Sequence, residues 1–130
     1  MGQNIKVTFE MLEDFQKLLL ECQMFMSFNM AHAQTGLPEP CYSKVLKVAE
    51  YSNENIHLVK FLNNCMPFSR HLEEAKTLFK KNGLNALTFI YEYFNWVRPI
   101  FEECKPDMMK RVNDIQGIYT HFMRKHGFLN

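Results

Sequence analysis

Apolar residues recur at intervals of three and four along nearly the whole chain, and no stretch alternates with the period of two that a half-buried strand requires. The opening stretch shows it best. Phe9, Leu12, Phe15, Leu19, Cys22 and Met26 form one stripe, and Met11, Leu18 and Phe25 widen it. This pattern predicts a first helix over residues 9 to 34 or 35, about 40 Å long at 1.5 Å per residue. Thr8 is placed to cap it, and Glu10, Glu13 and Asp14 put negative charge near its positive end. Gly36 and Pro38 stop it, and two prolines stiffen a connection over residues 36–41.

Beyond that connection the pattern predicts a short helix over residues 42–51. A third follows, capped by Asn53 and ending near Met66–Pro67. Ser69 caps a fourth, which Asn82 and Gly83 end. A fifth covers residues 84–104. Pro99 lies inside it, which predicts a kink or break around residues 95–98. Pro106 opens a last helix whose buried stripe is Met108, Val112, Ile115, Tyr119 and Phe122, with Gly127 at its end. The expectation is one all-α domain over residues 1–130, a bundle of five to seven helices with a long N-terminal helix and a frayed terminus over residues 1–7.

Composition narrows the function classes. With 47% apolar and 22% charged residues the 130-residue chain has the make-up of a globular protein, not a disordered one. The formal net charge of +1 supplies no global field toward nucleic acid or an anionic membrane. No run reaches the ~18 apolar residues that a membrane span needs. The start, Met1 to Lys6, lacks the Ser or Thr of a myristoylation signal at its sixth position. No apolar stretch suited to a secretory signal follows it, which points to the cytoplasm. The four cysteines, Cys22, Cys41, Cys65 and Cys104, make no C-x-x-C pair and read as small buried apolar groups.

No catalytic set is visible. There is no nucleophile elbow and no Gly-rich phosphate loop, and the histidines make only the reversed pair His71-x-x-Glu74, so neither enzyme activity nor a metal or other cofactor is expected. Two surfaces remain as candidates. Of the chain's 12 Phe and 9 Met residues, four of each fall in the first helix, and Met24, Phe25, Phe28 and Met30 point in too many directions for one buried face. They are the expected contact with a protein partner or a second copy, since Met-rich surfaces adapt to partner shape. The alternative is a nucleic-acid contact through Lys76, Lys80, Lys81, Arg124 and Lys125.

Overall fold

The computed structural model describes residues 6–33 and 35–129, and among these it is all-helical with no strand. Four long helices carry it: α1 (Phe9–Met24), α2 (Cys41–Asn55), α3 (Phe68–Cys104) and α4 (Met109–Lys125). Most of the expected frayed terminus, and the expected helix end at Gln34, lie outside the described residues.

Local chemistry sets the two outer ends. Thr8 caps α1 as expected: its hydroxyl accepts from the Met11 backbone N–H at 3.1 Å. Beyond Met24 the backbone widens into a π-helical turn (Phe25–Asn29), closed by the Met30 N–H on the Phe25 carbonyl, before a last α-helical turn (Met30–Ala33). At the other end, Gly127 takes the left-handed conformation (φ +83°) that stops α4. The Phe128 N–H then reaches the Met123 carbonyl at 2.8 Å, and the Gly127 N–H the Arg124 carbonyl at 3.3 Å. This is the Schellman closure, and it folds Phe128 back onto Phe122.

The middle of the chain departs from the sequence expectation in three places. The third helix does not form as an α-helix. The Asn55 side chain donates to the Tyr51 carbonyl and satisfies the end of α2, and two 3₁₀ turns follow (Ile56–Val59 and Phe61–Cys65). They still bury Val59, Leu62 and Cys65. The fourth and fifth helices are one, α3, because Gly83 does not break the ladder. Its missing side chain is what Phe79 needs: a Cβ there would meet carbons of the Phe79 ring at 2.8–2.9 Å. Pro99 also sits in α3 without a break. Pro99 is exposed, as is Asn95 one turn earlier, so the carbonyl that lacks a Pro99 N–H partner belongs to an exposed residue. The residue inside α3 with non-helical angles is His71 (φ −122°, ψ 29°), in the first turn after Pro67.

The core is aromatic and is organised around two side chains of the N-terminal helical segment. Phe15 meets Phe61, Phe79 and Phe122 with ring centroids 4.9–6.0 Å apart. Ten residues on, Phe25 meets Tyr93, Phe94 and Phe101 at 5.3–6.2 Å. α3 supplies rings to both clusters, as its apolar pattern predicts, although Tyr91 and Trp96 face outward. α4 buries Val112, Ile115 and Phe122 of the expected stripe, whereas Tyr119, and Met108 just before the helix, are half-buried. Polar contacts also fasten α4 to its neighbours: Arg111 to Glu21 of α1, and Arg98 of α3 to Gln116 and Asn113.

Candidate interaction surface

The π-helical turn decides which Met and Phe side chains of the first helical segment reach solvent. Widening the backbone at Phe25–Asn29 turns Phe25, Met26 and Met30 together into the core, where Phe25 and Met30 are buried. Met24 and Phe28 stay outside, 50% and 66% exposed. The four residues expected to make a contact therefore divide into two core anchors and two surface groups. Phe25 and Met30 belong to this chain's own interior.

The two surface groups have a neighbour that the sequence reading missed. Leu20, 44% exposed, precedes Met24 by four residues, so Leu20, Met24 and Phe28 line up as one ridge along the solvent side. The signal was present in the i, i+4, i+8 spacing, but it was hidden among core positions of the same residue types. Glu13 and Lys17, both exposed and of opposite sign, continue the ridge toward the start of α1.

Two of the five basic residues are ion-paired within the chain. Lys125 is held by Asp14 at 2.9 Å and Glu10 at 3.1 Å, so part of its charge is neutralised by the start of α1. Lys76 lies 3.5 Å from Glu73. Lys80, Lys81 and Arg124 are exposed.

A shallow groove of about 350 Å³ runs between α3 and α4, lined by Ile90, Tyr91, Phe94, Asn95, Gln116 and Tyr119 among others. The two tyrosine rings lie 6.2 Å apart. Burial, and then the neighbouring Tyr91, push the Tyr119 phenol up, so it is a hydrogen-bonding group at neutral pH and not a base.

The cysteines fall into two kinds. Cys22 and Cys65 are buried, as the sequence reading has them. Burial pushes both thiols up, reinforced by Glu21 at Cys22 and by Glu74 at Cys65, which suppresses the reactive thiolate. Cys41 and Cys104 are instead joined in a disulfide with Cα atoms 5.6 Å apart, which corrects their reading as separate apolar groups. Sequence spacing alone gave no sign of it, because 63 positions separate the two. Beside the bond, Lys44 Nζ pairs with Glu103 Oε1 at 2.6 Å. Cys41, Glu103 and Cys104 form the one group of three possible metal donors within 4.8 Å among the described residues. With its two sulfurs bonded to each other, the group offers a cation only the Glu103 carboxylate, which Lys44 already holds.

Comparison with protein-family models, with curated proteins and with solved structures finds no match to this chain. The functional reading therefore stands on the residues themselves.

Proposed function

We propose that the chain is a non-enzymatic interaction module that pairs with a second copy of itself through the Leu20–Met24–Phe28 ridge. One observation supports this reading: three large apolar side chains stand in a row on the solvent side of the N-terminal helical segment, each close to half exposed or more. An isologous contact sets such a ridge against itself. A copy running parallel also lets Glu13 of each chain meet Lys17 of the other, so the flanking charges pair twice. Burying the exposed part of each ridge side chain contributes ~1 kcal/mol. Six of them across a symmetric contact contribute ~6 kcal/mol, which exceeds by only a small margin the low end of the ~4–15 kcal/mol cost of association. The pairing is therefore weak and concentration-dependent, suited to regulated assembly rather than a permanent dimer.

Sedimentation equilibrium over a wide concentration range tests this. Wild type shifts from monomer to dimer, while Met24→Asp and Phe28→Asp stay monomeric with unchanged circular dichroism. A wild-type chain that remains monomeric up to about millimolar concentration, where contacts worth ~4 kcal/mol register, removes the reading.

The nucleic-acid alternative gains no support from the ion pairs of Lys76 and Lys125. None of the described helices is long and apolar enough to cross a membrane. A cytoplasmic location fits this chain only if the Cys41–Cys104 bond is reversible, because cytosolic thiol systems keep cysteines reduced.

A further inference from the structure

Three side chains that can ligate a metal converge where the start of α2 meets the end of α3. Cys41 is the first residue of α2, and Glu103 and Cys104 are the last two of α3. Both sulfurs and a Glu103 carboxylate oxygen lie within 4.8 Å of one another, and Glu103 Oε1 is 3.8 Å from Cys104 Sγ. The disulfide occupies both sulfurs, but each cysteine is half-buried, so the bond is open to a small thiol. Cys22 and Cys65 are buried and lie outside the group.

Reduction turns this group into a ligand set. Two low-molecular-weight thiols become one small disulfide, and their two electrons and two protons reside on Cys41 and Cys104. The freed sulfurs need to stand ~3.8 Å apart to share a tetrahedral ion at ~2.3 Å from each. Side-chain rotation at two Cα atoms 5.6 Å apart supplies that separation. Two thiolates and one carboxylate suit zinc: thiolate disfavours magnesium and calcium, and zinc accepts mixed sulfur and oxygen donors. Lys44 Nζ, 2.6 Å from Glu103 Oε1, is the competing cation. Both partners of that pair are exposed, 43% and 60%, so water screens it and the ammonium can swing out on its flexible stem.

Independently of the ridge, we infer that the reduced chain binds one zinc ion through Sγ of Cys41, Sγ of Cys104 and the Glu103 carboxylate, with water in the fourth position. The two thiol protons leave as the two Zn–S bonds form. The ion then clamps the start of α2 to the end of α3 in place of the disulfide. In the disulfide form two of the three protein ligands are lost, so the state of this cysteine pair decides whether zinc is held.

For the test, the full chain is reduced with a dithiol, desalted without oxygen and titrated with Co2+, whose absorbance reports its coordination. One equivalent is expected to give the intense visible bands of tetrahedral cobalt and a thiolate-to-cobalt charge-transfer band, both abolished when Zn2+ displaces it. Oxidised wild type gives neither, nor does the reduced double variant Cys41→Ser with Cys104→Ser, which still contains Cys22 and Cys65. Glu103→Gln binds about tenfold or more weaker. Lys44→Ala, freed of the competing ammonium, binds at least as tightly as wild type. A second readout needs no substitution: Zn2+ slows alkylation of both Cys41 and Cys104 in reduced wild type, as mapped by mass spectrometry. The inference is overturned if reduced wild type leaves cobalt with the spectrum of its aqueous ion, or if the bands persist in the oxidised chain or the double variant. It is overturned equally if Glu103→Gln binds as tightly as wild type, if Lys44→Ala binds more weakly, or if zinc leaves alkylation at either cysteine unchanged.

Discussion

The Phe79 ring lies directly over the α-carbon of Gly83, one helical turn further along α3. A methyl group at Gly83 would stand 2.8 Å from the ring. The ring has no room to retreat, because Phe15 meets it edge-on at 4.9 Å and Phe128 packs on it from the C-terminal segment. Gly83→Ala therefore sets two effects against each other. Alanine favours a helix interior over glycine by ~1 kcal/mol. Displacing a packed ring in a close-packed core costs ~1–3 kcal/mol. The clash wins, and Gly83→Ala is expected to lower the urea midpoint. A variant more stable than wild type would show that the ring moves freely.

Phe25 and Phe28 are three residues apart and should respond oppositely to truncation. Phe25→Ala removes a fully buried ring from among Tyr93, Phe94 and Phe101 and is expected to cost ~3–5 kcal/mol. Phe28→Ala removes an exposed ring and is expected to change stability by less than about 0.5 kcal/mol. Chemical denaturation of the two variants measures the difference. Equal losses would contradict the π-helical turn that separates them.

The sequence showed what local chemistry controls. Thr8, Gly127 and the stripe of α4 are visible because a hydroxyl before a helix, a glycine after one, and a regular apolar spacing each carry their reason within a few residues. The same approach misread Gly83, since a glycine that ends a helix and one that makes room for a ring are the same letter. It could not separate Phe25 from Phe28 either. A π-helical turn changes the phase of the buried face, and composition does not record that. The Cys41–Cys104 bond depends on where α2 and the end of α3 meet, which no local pattern states. Hence the helical class was legible throughout, and the candidate surface only in Met24 and Phe28.

The disulfide closes a long loop, with 63 positions between its ends. Cross-linking a loop of this length restricts the unfolded chain and stabilises by ~4 kcal/mol on the loop-entropy model, with typical measured values of ~2–4 kcal/mol. The double variant Cys41→Ser with Cys104→Ser is expected to fold and to lose about that much in denaturant titrations. Reduced wild type should lose a similar amount. A double variant as stable as the oxidised wild type would mean the bond constrains little that packing does not already hold.

Asp14 connects the start of α1 to the end of α4, and this connection should fail in acid. Its Oδ2 lies 2.8 Å from His126 Nε2 and 2.9 Å from Lys125 Nζ. An ionised carboxylate only accepts, so Nε2 carries the proton of the hydrogen bond to His126. Burial alone would raise the carboxyl, but the hydrogen bonds and charges of Lys125 and His126 outweigh it and hold Asp14 below the ordinary aspartate value. The other ionisable groups nearby are Glu10, which shares Lys125, and Lys17 and His121, which line the adjoining surface. A carboxyl whose folded value is depressed stabilises fully above its unfolded value of ~3.9, and the contribution disappears as pH falls through the lower folded value. The stability gap between wild type and Asp14→Asn is therefore expected to be present above about pH 3.9 and to close as pH falls below it. Urea midpoints of both proteins across that range measure it. A gap that persists at the acid end would place the stabilisation in the packing of His126 against Phe122, where the rings lie 4.8 Å apart, and not in the carboxylate.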